Sequence, residues 1–129
     1  MAEKLVVDAS AMVDYLVDSS LAQRVAERIN ATEVNVPAHF DAEVLSALGR
    51  LHRGGDLSAL EVEERVALTA QAPFHRHLLT PLLEGAWALH HNVRLVDALY
   101  IELANQLDAT IVTTDSGMAS ASPDAEHIE

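Results

Sequence analysis

The sequence has 129 residues, half of them hydrophobic, which is enough for one packed domain over residues 1–129. It contains no cysteine, which excludes disulfide bonds, a thiolate nucleophile and a cysteine-based zinc site. Twenty acidic residues against eight basic ones give a net charge of −12 with neutral histidines, and such a surface repels nucleic acid at long range while attracting cations or a basic protein.

The first third of the chain alternates strand and helix patterns. Residues 5–7, a Leu-Val-Val run, are typical of a buried strand, and Asp8–Ser10 is expected to form the turn after it. Apolar residues at helical spacing predict two helices next, the second over residues 21–29. Residues 33–36 alternate polar and apolar side chains and stop at Pro37, which predicts a second strand.

Two amphipathic helices are predicted after this second strand. The first ends at Gly54–Gly55, and its apolar stripe consists of Phe40, Val44, Leu45, Leu48 and Leu51. The second begins after a cap at Asp56 or Ser58 and ends before Pro73. Its predicted apolar stripe consists of Leu60, Val62, Val66 and Leu68.

The central segment carries shorter patterns. Residues 74–78 predict a brief strand. Thr80 followed by Pro81 is a typical helix start, because threonine can cap a helix and proline fits its first position. This helix is predicted to end near His91.

The last third contains the most convincing strand after the first. A helix is predicted from Val96 through Leu107, and residues 109–113 then form the strand. The tail from Ser116 is mostly small and polar, and residues 127–128 are expected to add one last short strand.

Strands that alternate with helices predict an α/β fold with a mostly parallel central sheet. Right-handed crossovers would cover both faces of this sheet with helices, giving three layers in the order α/β/α. In such sheets ligands bind in the crevice at the carboxyl ends of the strands. The acidic residues near that edge are therefore the candidates for function.

Four acidic residues are predicted to lie at this edge. Asp8 and Asp115 follow the two most convincing strands, Asp97 opens the helix before the second of them, and Glu43 lies near the start of the helix after strand two. Four carboxylates in one crevice repel each other, so such a cluster normally holds a hard cation such as Mg²⁺. Taken singly, each aspartate is also explained as a helix cap, and Glu43 as an acid favoured by the helix dipole.

Four short segments resemble those of the PIN-domain nucleases and, among them, the VapC-type toxins of bacterial toxin–antitoxin pairs. The segments are Asp8-Ala9-Ser10, residues 41–48 around Glu43, residues 96–104 around Asp97, and Thr113-Thr114-Asp115. They occur in the family's order, and the resemblance extends from Leu5 to at least Asp115.

The resemblance implies a PIN-like fold and a magnesium- or manganese-dependent endoribonuclease. Its catalytic and metal-binding acids would be Asp8, Glu43, Asp97 and Asp115. Thr114 or Thr113 would orient the last carboxylate, and Ser10 would act in the same way near Asp8. The family also implies a homodimer and a small antitoxin that masks the site. The net charge of −12 leads us to expect basic residues on that antitoxin.

The absence of an evident protein nucleophile favours hydrolysis of RNA by metal-activated water, with 5′-phosphate and 3′-hydroxyl products. The alternative is a non-catalytic acidic module that holds a metal ion or a basic partner. Neither a signal peptide nor an uncharged apolar run of about 20 residues is visible, so we expect a cytoplasmic protein without a membrane segment.

Four further side chains have open interpretations. Arg50 and Arg53 follow Glu43 on one helix and would either reach RNA phosphates or lie on a solvated face. Tyr100 would either pack in the core or stack on a base, with packing favoured. Asp41 would either be a helix-start residue, which is favoured, or lie in the outer shell of the metal site.

Overall fold

The computed structural model describes residues 2–129 and contains a five-stranded sheet. The strands are β1 (Lys4–Val7), β2 (Glu33–Pro37), β3 (His75–His77), β4 (Thr110–Thr113) and β5 (Ala125–His127). Their order across the sheet is β3-β2-β1-β4-β5, and every neighbouring pair is parallel. The prediction of a mostly parallel sheet is confirmed, and all five strands share one direction.

Seven α-helices flank the sheet within residues 2–129 and complete the three-layer α/β/α fold. They are α1 (Ala9–Leu16), α2 (Ala22–Ile29), α3 (Phe40–Arg53), α4 (Ala59–Gln71), α5 (Leu83–Ala88), α6 (Leu95–Leu107) and α7 (Ser116–Ala121). A single 3₁₀ turn over Thr80–Leu82 precedes α5. In this described part of the chain, no helix combines the length and apolarity that a bilayer crossing requires.

Strand β1 lies at the centre of the sheet, with β2 on one side and β4 on the other. Leu5, Val6 and Val7 are almost completely buried, because helices cover both faces of the sheet. A strand buried on both faces has a continuous apolar sequence, which explains why this segment does not alternate. The register pairs Val7 with Val112 of β4, so the residues that follow these two strands emerge side by side.

The sequence patterns misplaced three features of the helices. Thr80 lies inside the 3₁₀ turn and makes no capping bond, and α5 ends at Ala88 because only three-residue turns continue beyond it. Of the two capping candidates Asp56 and Ser58, Ser58 is confirmed as the cap of α4. Leu60 and Leu68 of the predicted apolar stripe are more than half exposed, while Thr69 is the buried residue of that helix.

Helix α7 was not evident in the small, polar tail. It forms because the Asp115 side chain accepts a hydrogen bond from the backbone N–H of Met118, while the Met118 side chain is buried in the core. A cap and one buried anchor stabilise a six-residue helix whose composition gives no helical periodicity.

The Arg76 guanidinium joins strand β3 to helices α3 and α4. It donates to both carboxylate oxygens of Asp41 on α3, at 2.8 and 3.1 Å. It also donates to the carbonyls of Thr69 at 2.7 Å and Ala72 at 3.0 Å, near the end of α4. The last carbonyls of a helix have no partner within the helix, so Arg76 supplies the missing donors and fixes edge strand β3 to both helices.

We expect Arg76→Met to lower the free energy of unfolding by about 1–3 kcal/mol, because the carbonyls and the Asp41 carboxylate lose a charged donor. Urea denaturation measures this change. Arg53→Met is the matched control, since the exposed Arg53 side chain makes no side-chain hydrogen bond within residues 2–129. Equal stability of the two variants would contradict the joining role of Arg76.

Candidate active site

Asp8 is held by three hydrogen bonds directly after β1. Its Oδ1 accepts from the backbone N–H of Ala11 at 3.0 Å and from the Ser10 hydroxyl at 2.7 Å. Its Oδ2 accepts from the Thr113 hydroxyl at 2.6 Å. Asp8 therefore caps α1, and its side chain is fixed in a single orientation at the carboxyl end of the sheet.

The pKa of Asp8 is raised above its ordinary value, chiefly because burial disfavours the charged form. The hydrogen bonds from Thr113, Ala11 and Ser10 oppose this shift, and the charge of Asp115 adds a smaller contribution that raises the pKa. Desolvation, more than repulsion between the acids, thus determines the proton affinity of Asp8.

Asp115 follows β4, and Thr113 connects it to Asp8. The backbone N–H of Asp115 donates to Thr113 Oγ1 at 2.9 Å, the same hydroxyl that donates to Asp8. Asp115 Oδ2 caps α7 by accepting from Met118 N at 2.8 Å. A Cβ atom at Gly117 would lie 3.1 Å from this oxygen, so glycine leaves room for the carboxylate.

Glu43 reaches the same edge from the first turn of α3. The Tyr100 hydroxyl donates to Glu43 Oε1 at 2.7 Å, and its pKa is raised by burial and by this hydrogen bond, so it stays a donor. The Tyr100 ring is 1% exposed, which confirms core packing and leaves no free face for a base. His39 packs against that ring, with Nε2 lying 3.5 Å from Glu43 Oε1 and 2.9 Å from the carbonyl oxygen of Val96.

Asp97 is paired with Arg94 at the start of α6. Arg94 Nε and Nη2 donate to the two carboxylate oxygens of Asp97 at 3.0 and 3.2 Å. Arg94 is the capping position of α6, and Asp97 lies in its first turn without capping it, so the interpretation of Asp97 as a cap is wrong. The pKa of Arg94 is raised by the hydrogen bond and charge of Asp97, with smaller contributions from Asp115 and Glu43.

The structure brings all four predicted acids to one cavity of about 130 Å³, here called the carboxylate cavity. Its lining consists of Asp8, Ala9, Ser10, Glu43, Arg94, Asp97, Tyr100 and Asp115. A larger opening of about 400 Å³, here called the adjoining cleft, shares Arg94, Asp97 and Asp115 with it. The rule that ligands bind at the carboxyl ends of parallel strands therefore selected residues that are neighbours in space.

The chemistry of the cavity fits a hard cation. Its titratable acceptors are carboxylates, the ligands that Mg²⁺ and Mn²⁺ prefer. Within the described residues no three acidic or histidine side chains form a ready-made metal cluster. Both Asp97 oxygens face Arg94, whereas one oxygen each of Glu43 and Asp115 makes no hydrogen bond to residues 2–129. Water and phosphate oxygens would therefore have to complete the coordination of a bound cation.

One assignment made from the sequence needs correction. The Thr114 hydroxyl donates to Asp14 at 2.6 Å, so it does not orient Asp115; Thr113 is the residue that links the acids. Ser10 does contact Asp8 as expected.

Arg50 lies two turns beyond Glu43 on α3 and donates to Ser46, whereas Arg94 lies in the cavity itself. The sequence contained a signal for Arg94, because it lies three residues before Asp97 and side chains at that spacing meet on a helix.

A protein family, a relative in sequence and two solved structures are similar to this chain. The model of the PIN domain family matches residues 5–122. Ribonuclease VapC3 of Mycobacterium tuberculosis is 47% identical over 127 residues, covering 98% of this chain and 93% of that protein. The structure of PAE2754 from Pyrobaculum aerophilum superimposes with a TM-score of 0.68 at 20% identity, covering 97% of this chain and 83% of that one. A toxin–antitoxin complex from Klebsiella pneumoniae gives a TM-score of 0.65 at 14% identity, covering 95% of both chains.

We expect Thr113→Val to lower the free energy of unfolding by about 1–3 kcal/mol, although valine has nearly the same shape. The change leaves Asp8 Oδ2 and the Asp115 N–H without their partner in a buried position. Thermal or urea unfolding measures the loss. Thr110→Val on the same strand is the matched control, because the Thr110 hydroxyl makes no hydrogen bond to residues 2–129. An equally large loss of unfolding free energy in Thr110→Val would refute the special role of Thr113.

Stability should depend on pH through Asp8. Because its folded pKa is raised, the native state binds the Asp8 proton more tightly than the unfolded chain does. This stabilisation is fully present below the unfolded pKa of about 3.9 and is lost as the pH rises through the folded pKa. In EDTA, the unfolding free energy of wild type minus that of Asp8→Asn should therefore fall as the pH rises above the unfolded pKa and through the folded pKa of Asp8. A difference that instead rises with pH would show that the pKa of Asp8 is lowered by folding.

Proposed function

Because this chain belongs to the PIN domain family, we propose that it is an endoribonuclease and the toxin of a toxin–antitoxin pair. The observation that carries the proposal is the convergence of Asp8, Glu43, Asp97 and Asp115 on one cavity at the carboxyl edge of the sheet. Similarity to a protein named as a ribonuclease over nearly the full length of both chains supports RNA as the substrate.

The four acids would hold Mg²⁺, or Mn²⁺ in its place, and act as the catalytic residues. A bound magnesium ion would supply Lewis acidity toward the scissile phosphate and increase the acidity of a water molecule. Asp8 would be the most rigid ligand because three donors fix its carboxylate. Tyr100 would keep Glu43 turned into the cavity, and the α7 cap would do the same for Asp115.

Water is the proposed nucleophile. Ser10 carries the only aliphatic hydroxyl among the described residues that line the cavity, and that hydroxyl donates to Asp8 while accepting from Thr114 N–H. Ser10 is therefore a positioning residue in this proposal. Attack by water on the phosphodiester leaves a 5′-phosphate and a 3′-hydroxyl, and no covalent bond to the protein forms.

A small antitoxin with basic residues is the proposed protein partner. Support comes from Arg94, which demonstrates that a guanidinium group fits beside Asp97 and is stabilised by the charges of Asp115 and Glu43. A basic side chain of the antitoxin would use the same complementarity. The likeness to a chain from a toxin–antitoxin complex is consistent with this partner.

We also propose that the chain is a homodimer. Large apolar side chains are exposed on the consecutive segments from the end of β3 to the start of α6, namely Leu78, Leu83, Trp87, Leu95 and Val96. Soluble monomers rarely leave large apolar patches in water, so a second copy is a suitable cover for this region.

RNA cleavage by purified protein tests the proposed function. We expect wild type to cut single-stranded RNA with Mg²⁺ and not with EDTA, and end-labelling should find 5′-phosphate termini. Asp115→Asn should reduce the rate by at least about a hundredfold while the protein stays folded, because asparagine retains the α7 cap.

Asp56→Asn is the matched control, since it removes one negative charge from an exposed loop and should cleave at the wild-type rate. Products ending in 2′,3′-cyclic phosphate would refute hydrolysis by water. Cleavage in EDTA would contradict the proposed role of the metal ion, and the absence of cleavage for every RNA tested would favour the non-catalytic binding module.

A further inference from the structure

Arg94 occupies a special position at the boundary between the carboxylate cavity and the adjoining cleft. Its side chain is 75% exposed, and it lines both openings together with Asp97 and Asp115. Among the described residues that line either opening, Arg94 is the only basic one. A phosphate group that approaches the acids through the cleft would therefore meet this single positive charge.

Three other arginines of the chain, Arg28, Arg65 and Arg76, join separate elements of the fold. Arg28 pairs with Glu3 and Glu126, and Arg76 pairs with Asp41. Arg65 donates to the carbonyl of Leu16 at 2.9 Å. In a protein with a net charge of −12, Arg94 differs from these arginines because it is an exposed positive charge beside the candidate reaction centre.

The Arg94–Asp97 pair has the geometry of an exchangeable contact. Two parallel N–H···O bonds join the guanidinium to the carboxylate, and the same fork fits two oxygens of a phosphate. Ion pairs with an exposed partner contribute little to stability, so Arg94 can leave Asp97 at small cost. The pair also occupies both oxygens of an acid that the proposed function requires as a metal ligand.

We propose that Arg94 alternates between two anions, neutralising Asp97 in the free protein and binding an RNA phosphate when a divalent cation is held by Asp97. This inference rests on the proposed function, since it assigns a substrate-binding residue to that site. Arg94 thereby opposes cation binding and favours RNA binding. A residue with a merely structural role would affect both in the same direction.

Arg94→Gln separates these two effects. Cation affinity is read from the rise in melting temperature with added Mg²⁺ in the absence of RNA, and it should tighten about fivefold because a competing positive charge is gone. RNA affinity is read from the anisotropy of a fluorescent single-stranded RNA with Ca²⁺ in place of Mg²⁺, with recovery of intact RNA as a check. It should weaken about tenfold, and the slope of log Kd against log salt should decrease by about 0.7.

Two further variants sharpen the comparison. Arg94→Lys keeps the charge but not the fork, so the salt slope should stay as in wild type while RNA affinity falls only in part. Arg24→Gln removes the same charge from α2, where the side chain lines neither opening, and both affinities should match wild type.

The outcomes distinguish this inference from the proposed function. If wild type binds and cleaves RNA while Arg94→Gln keeps the wild-type RNA affinity, the inference is wrong and the proposed function stands. Weaker binding of both Mg²⁺ and RNA by Arg94→Gln would also overturn it, because that result indicates general damage to the site. If wild type neither gains stability from Mg²⁺ nor binds RNA, the proposed function and the inference fail together.

Discussion

The hydrogen bond from the Thr113 hydroxyl to Asp8 connects the carboxyl ends of β1 and β4, the two strands on which the site depends. Thr113 is completely buried, and its oxygen also accepts from the backbone N–H of Asp115. One hydroxyl thus fixes the start of two chain segments, each of which places an acid at the head of a helix. Because Asp8 Oδ1 and Asp115 Oδ2 are used as helix caps, the same two side chains stabilise α1 and α7 and carry negative charge into the cavity.

This double use has an energetic cost. A buried carboxylate is disfavoured by desolvation, and the raised pKa of Asp8 reflects that penalty. The chain compensates with three donors at Asp8 and with the guanidinium of Arg94 at Asp97. Active sites commonly retain such unfavourable charges because a ligand, and not the fold, provides the compensating interaction.

The sequence predicted those parts of the structure that depend on local patterns. The buried run at β1, the alternation at β2 and the long stripe of α3 each follow from spacing, and the direction of a parallel sheet then places the acids at one edge. Features that depend on distant partners were missed. Helix α7 exists because Met118 reaches the core, and α4 buries Thr69 while Leu68 stays exposed. Spacing alone also does not determine whether Thr113 or Thr114 faces Asp8. In the structure the Thr113 hydroxyl donates to Asp8, and the Thr114 hydroxyl donates to Asp14.

The separation of 105 residues between the two partners of the Thr113–Asp8 hydrogen bond has a consequence for synthesis on the ribosome. Parallel pairing of β1 with β4 requires the chain from Leu5 through Val112, and pairings of such long range slow folding. A nascent chain that has not yet produced β4 and α7 lacks both Asp115 and the residue that orients Asp8. The four acids therefore come together only after Asp115 has been synthesised, and a nascent chain that ends before it has no assembled site.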